Sequence, residues 1–124
     1  MTDRELLELA ARAVKVPAYW SVDGSIQNRP IFVTEAGGKM GTMPYESEWN
    51  PLKDDALALR MAVNLNLWVQ INHLSVEAEL WQDDCGETKT ITQYLDPDSD
   101  RCAATRRAIT RAAAEIGKQR NSHD

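Results

Sequence analysis

Apolar residues recur at helical spacing along the first 16 residues of the chain. Thr2 and Glu5 have the spacing of a capping box, in which two side chains satisfy backbone N–H groups of the first helical turn. Pro17 cannot continue a helix and ends the run. The pattern therefore predicts an N-terminal helix with one buried face. That face consists of Leu6, Leu7, Ala10, Ala13 and Val14.

A second helix is predicted within WNPLKDDALALRMAVNLNLW, residues 49–68. Asn50 suits the N-cap, and Pro51 suits the first helical position, where the missing N–H of proline costs nothing. Asp54 and Asp55 would then lie in the first turn, where the helix dipole favours negative charge. The helix is therefore expected to begin at Pro51.

On a helical wheel this second helix shows two apolar faces rather than one. The first face contains Leu52, Ala56, Leu59, Ala62 and Val63. The second face, nearly opposite, contains Leu57, Met61 and Leu65. Because small α+β domains commonly bury a helix on two sides, the favoured interpretation is that the domain itself covers both faces. The alternative is that the second face binds a partner or a second copy, which makes Leu57, Met61 and Leu65 candidate partner-binding residues.

Residues 19–47 contain several glycines and prolines, and the periodic pattern is lost there. Only PIFVT, residues 30–34, has the composition of a short strand. The rest of residues 17–47 is expected to be irregular. Tyr19 and Trp20 lie within this segment, and we predict that they contact a partner because exposed aromatic side chains are common in binding surfaces.

Strict alternation of apolar and polar residues predicts a strand with one buried face at residues 74–80. QDDCGE, residues 82–87, has turn chemistry, and TKTITQYL, residues 88–95, is rich in β-branched and aromatic residues. A β-hairpin is therefore expected.

Asp96 and Pro97 repeat the arrangement of Asn50 and Pro51 and predict the start of a third helix. Gly117 is expected to end it. The expected core stripe is Cys102, Thr105, Ile109, Ala112, Ala113 and Ile116. These elements predict an α+β fold with three helices packed on a small antiparallel sheet, in the order α, short β, α, β-hairpin, α. Residues 1–118 would form a single α+β domain and residues 119–124 a flexible C-terminal tail.

Charge is unevenly distributed along the chain. Residues 1–100 carry 8 basic and 17 acidic side chains, whereas residues 101–124 carry 6 and 2, for a net charge of −5. An acidic body repels phosphate over most of its surface. Arg107, Arg111 and Lys118, on the polar side of the third helix, are therefore the candidates for an alternative, nucleic-acid-binding function.

No apolar run approaches the roughly 20 residues that span a bilayer, and the N-terminus lacks the apolar core of a secretory signal. The protein is therefore expected in the cytoplasm, with Cys85 and Cys102 as free thiols. Metal ligands at suitable spacing are absent from the sequence, so no metal or cofactor is expected.

Two other chemical interpretations have little support. Cys85 lies beside acidic residues, which disfavour a reactive thiolate, and only His73 could assist it in a Cys/His enzyme. Glu77 and Glu79 share a strand face and could act as paired acids or hold a cation, but a solvated strand face is normally charged.

Three strings carry a family resemblance: DRELLELAARA, WNPLKDDALALRMAVNL and ATRRAITRAAAEIG. They resemble small accessory proteins encoded by phages and prophages, over about half of the chain and without residues 17–47 or the hairpin. These motifs contain no known catalytic residue. The resemblance implies an accessory gene of a temperate phage, many of which act by binding a host or phage protein.

The first functional hypothesis is therefore a non-enzymatic phage accessory protein that binds a host or phage protein, with an inhibitor of a bacterial anti-phage defence system as its sharpest form. The same surface could instead form a homo-oligomer. The alternatives are nucleic-acid binding by the third helix and, least supported, an enzyme dependent on Cys85.

Overall fold

A computed structural model describes residues 1–21, 31–36, 45–82, 86–96 and 98–122 of the chain. These residues form an α+β structure, which confirms the predicted class. The helices are α1 (Asp3–Val14), α2 (Asp55–Asn64) and α3 (Arg101–Ser122). Sheet A contains β1 (Ala18–Ser21), β2 (Ile31–Ala36) and β3 (Tyr45–Glu48), and sheet B contains β4 (Trp68–Ile71), β5 (Ser75–Gln82) and β6 (Glu87–Tyr94).

The first helix agrees with its prediction. The Thr2 side chain accepts a hydrogen bond from the Glu5 backbone N–H at 3.2 Å, as the capping sequence requires. At the other end Lys15 adopts a left-handed conformation, and its N–H donates to the carbonyl groups of Ala11 and Arg12. The helix thus ends before Pro17 through a C-cap rather than by direct interruption.

The second helix begins later than predicted. Asn50 caps a preceding turn instead, since its side chain accepts from the Leu52 N–H at 3.0 Å. The N-cap of α2 is Asp54, whose carboxylate accepts from the N–H groups of Ala56 and Leu57. Asn50 and Asp54 are both favoured capping residues, and α2 uses Asp54 because it directly precedes the continuous helical run.

The third helix begins at Arg101, so the predicted start at Asp96 and Pro97 is wrong. The Asp100 side chain caps it instead, accepting from the N–H groups of Cys102 and Ala103. The predicted end at Gly117 is wrong, because the helix continues to Ser122. The predicted tail, residues 119–124, therefore starts within a helix, and residues 123 and 124 lie outside the described part of the chain.

The set of buried residues predicted for α3 was also incomplete, and it included residues that are not fully buried. Cys102 is exposed and Thr105 is half-buried. The reason is that α3 lies between α1 and α2 on one side and sheet B on the other, so it is buried on several sides. The additional buried residues are Ala104, Ala108, Thr110, Ala114 and Gly117.

Six strands are described, whereas the sequence predicted one short strand and a hairpin. The hairpin is confirmed as β5 and β6, and the single predicted strand corresponds to β2. The missed strands β1, β3 and β4 have four residues each, too few to show a clear alternation.

Two apolar clusters meet at α3. One joins the three helices with Phe32 and Trp49, and the other joins α3 to one face of sheet B. On that sheet face Val76, Ala78 and Leu80 are fully buried. The alternate residues of the same strands therefore form an outer face of sheet B that α3 does not cover.

Candidate functional site

The structure buries Met61 on the α2 face that was the candidate partner surface, and it exposes Leu59 and Val63 on the other face. Met61 is only 3% exposed and packs in the core, with Leu57 and Leu65 half-buried against the same cluster. Leu59 and Val63, from the other apolar face, are 64% and 66% exposed. Ala62 of that same face is buried in the core, so the domain covers the second face and part of the first and leaves Leu59 and Val63 in solvent.

Leu59 forms one wall of a groove between α2, α3 and the end of β4. The groove has a volume of about 330 Å³ and an almost entirely apolar lining. Its lining combines the buried residues Ala58 and Ile109 with the exposed residues Leu59 and Ile71. We call this surface the α2 groove. Its lining residues are Asp55, Ala58, Leu59, Ile71, Arg101, Cys102, Thr105, Arg106 and Ile109.

Two arginines at the rim hold the groove in shape. Arg106 donates from Nε to the Leu52 carbonyl at 2.9 Å and from Nη1 to the Asp55 carboxylate at 2.7 Å. The hydrogen bond with Asp55 raises the pKa of Arg106 above its already high value, so the guanidinium keeps its charge. It fixes the start of α2 against α3.

Arg101 fixes the opposite wall. Its guanidinium donates to the carbonyl groups of Asn72 and His73, each at 3.2 Å, in the connection between β4 and β5. The end of β4, and with it Ile71, is thereby held beside α3. Because both rim arginines make hydrogen bonds within the protein, the groove offers mainly apolar contact to a ligand.

Trp20, predicted to contact a partner, supports the packing of sheet A instead. Its ring lies 4.8 Å from the Phe32 ring, its indole N–H donates to Glu8 at 2.8 Å, and Arg4 lies over its face at 4.7 Å. Tyr19, beside it, is exposed. Both residues line a separate cleft at the C-terminal end of α1, so the structure does not bring them to the α2 groove.

The predicted basic stripe of α3 is engaged within the domain. Arg107 forms an ion pair with Asp3 at 2.8 Å, and Lys118 forms one with Glu115 at 3.8 Å. Arg111 donates to the Thr92 carbonyl at 3.0 Å. Nucleic-acid binding stays a prediction, but these side chains do not stand free to receive phosphate.

The other chemical candidates are not assembled into a site in the described structure. Cys85 lies outside the described residues, and His73 is exposed. Within the described ranges, no three His, Cys, Asp or Glu side chains come close enough to hold a metal ion. None of the helices, over the part of the chain that is described, combines the length and apolar character needed to cross a bilayer.

No local sequence pattern marks Ile71 and Cys102 as surface residues of a single groove. Leu59 carried a signal, since it lay on an apolar helix face, but that face was assigned to the core. Comparisons with protein-family models, curated proteins and solved structures find no match to this chain. The resemblance to phage accessory proteins therefore stays a prediction, and the functional argument depends on the groove.

Proposed function

We propose that this protein acts by binding another protein, whose apolar side chains insert into the α2 groove. The observation that carries the proposal is that Leu59 and Ile71, both more than half exposed, line one preformed apolar depression. Val63, one turn along α2 from Leu59, is also more than half exposed. Scattered exposed apolar residues are normal, but a contiguous patch with a groove is typical of an interaction site.

The chemistry of the groove favours a protein over a small molecule. Small-molecule sites place a few polar groups to fix the orientation of the ligand. Here Arg101 and Arg106 already hold backbone carbonyls and Asp55. A partner helix with one apolar face could instead lie along α2, because Val63 extends the exposed apolar surface one turn beyond Leu59.

The identity of the partner follows from the family resemblance and is part of the same proposal. A phage accessory protein would meet its partner in the cytoplasm of the bacterial host. We therefore propose a host or phage protein as the occupant, with a component of an anti-phage defence system as the first candidate. The groove has no catalytic group in this account, and the proposed activity is inhibition by binding.

Leu59→Glu is expected to abolish partner capture without unfolding the protein. A carboxylate at the groove wall would have to be desolvated on binding, which costs several kcal/mol when no partner charge is present. The measurement is affinity capture from nuclease-treated bacterial lysate, read by mass spectrometry. Asn64→Glu is the matched control, because Asn64 is exposed on the same helix and the charge change is the same.

The capture experiment has three decisive outcomes, and light scattering of the free chain adds a fourth. A stoichiometric protein that is lost with Leu59→Glu and retained with Asn64→Glu supports the proposal. Equal capture by wild type, Leu59→Glu and Asn64→Glu places the binding site elsewhere. Capture that depends on nucleic acid favours the alternative based on Arg107 and Arg111. If light scattering shows that the free chain forms a dimer and no other partner is captured, a second copy occupies the groove.

Labelling of Cys102 gives an independent test that needs no variant of the groove itself. Cys102 is an exposed free thiol on the groove lining, so a maleimide reagent is expected to modify it fully in the folded protein. In a Cys85→Ser background, a bulky label should block capture of the partner, whereas iodoacetamide should weaken it much less. Undiminished capture by the bulky adduct would contradict the proposal.

A further inference from the structure

The outer face of sheet B combines aromatic and acidic side chains in a defined arrangement. Solvent-facing positions of an antiparallel sheet are normally polar, and Thr88, Thr90 and Thr92 follow this rule. Trp68 and Trp81 do not, since they are 58% and 59% exposed on the same face. Neither indole belongs to the apolar clusters of the core. Burial inside the domain therefore does not explain these two tryptophans.

The strand register places one carboxylate next to both indoles. Trp68 on β4 pairs directly with Glu79 on β5, which brings their Cβ atoms to roughly 4.5–5.5 Å. Trp81 follows Glu79 by two residues on the same strand, about 7 Å along the same face. Glu77 precedes Glu79 by two residues and pairs with Gln70. We call Trp68, Glu77, Glu79 and Trp81 the aromatic-acidic face.

This face contains no positive charge among the described residues. The other described residues on the outer face of sheet B are all neutral. Lys89, the lysine of β6, pairs with Leu80 and so lies on the opposite side of the sheet, where its ammonium group contacts Glu115 at 2.9 Å. Glu77 and Glu79 make no ion pair with any described residue, in contrast to Asp3, Asp55 and Glu115.

We propose that the aromatic-acidic face binds an arginine or lysine side chain in a basic segment of a partner protein. An indole face attracts a cation through its quadrupole, and Trp is the strongest aromatic residue in this respect. The Glu79 carboxylate, which neighbours both indoles, supplies the countercharge for such a cation. The net charge of −5 also attracts basic segments and repels nucleic-acid backbones.

This inference goes beyond the proposed function, because it concerns a different surface and a different partner chemistry. The α2 groove takes apolar side chains, and Ile71 of that groove alternates with Trp68 and Gln70 and lies on the other face of β4. Substitutions on the aromatic-acidic face should leave the groove intact, so the two proposals can fail separately.

The test is a titration of the full chain with an acetylated hexa-arginine peptide, followed by the indole N–H signals in NMR spectra. We expect the signals of Trp68 and Trp81 to shift, with those of Trp20 and Trp49 unchanged. Glu79→Gln and Trp81→Ala should each weaken binding about fivefold, the size of an exposed cation–aromatic contact. Binding should also weaken as salt is added.

Glu87→Gln is the matched control, because it removes the same charge from the same sheet but from the opposite face. Binding that is weakened equally by Glu87→Gln and Glu79→Gln would show attraction to net charge alone and overturn the proposal. Shifts at tryptophans other than Trp68 and Trp81 would also overturn it. So would movement of these two signals on simple dilution, since a second copy would then occupy the face.

Discussion

Gly117→Ala is expected to destabilise the protein by about 1–3 kcal/mol, the usual cost of forcing extra volume into a packed interior. The same substitution inside an ordinary helix stabilises by up to about 1 kcal/mol. The sign is reversed here because a Cβ atom at Gly117 would lie 2.8 Å from the Leu9 carbonyl carbon and closer still to its oxygen. Both atoms belong to the backbone of α1, so no side-chain rotation relieves the clash.

The measurement is the free energy of unfolding from urea denaturation of wild type and variant. Lys118→Ala is the control, since Lys118 is the next residue of the helix and is exposed. Its ion pair with Glu115 lies at the surface, so we expect a change below about 1 kcal/mol. A Gly117→Ala protein as stable as wild type would show that α1 and α3 are not in backbone contact at this point.

Leu80→Ala is expected to lower the free energy of unfolding by about 2–5 kcal/mol, the range for removing a buried leucine side chain. Leu80 is 1% exposed in the cluster formed by α3 and sheet B. The neighbours contributed by α3 include three alanines, Ala104, Ala108 and Ala112, whose short side chains cannot extend into the space. We therefore expect a cavity that does not collapse, and a cost in the upper part of this range.

Trp81→Ala provides the matched comparison for Leu80→Ala. The two residues are adjacent on β5 but lie on opposite faces of the sheet, and Trp81 loses little buried contact when it is truncated. A change within about 0.5 kcal/mol is expected. A large loss of stability for Trp81→Ala would mean that the indole packs on the domain, and would also remove the basis for the aromatic-acidic face.

The elements with strong local signals were predictable from the sequence. Thr2 and Glu5 marked the start of α1, and the alternation along residues 74–80 marked β5 with its buried face. These signals are reliable because capping and strand alternation depend on neighbouring residues. Competing caps made the start of α2 ambiguous, since Asn50 and Asp54 both satisfy the local rule.

The candidate site was only partly predictable. Helical periodicity correctly showed that α2 has two apolar faces, but it cannot show which face meets the rest of the domain. That choice depends on α3, a helix some forty residues further along the chain, which packs against Ala58, Met61 and Ala62. The groove residues Leu59, Ile71 and Cys102 come from three elements, so no local pattern connects them.

The α+β class, the N-terminal helix, the hairpin and the acidic character of the chain were predictable, because each depends on composition or on short-range spacing. The remaining features depend on contacts between distant parts of the chain. The close packing of α1 and α3 made Gly117 an interior helical residue rather than a terminus. The packing of α2 on α3 left Leu59 and Val63 in solvent, since one helix can cover only one side of another.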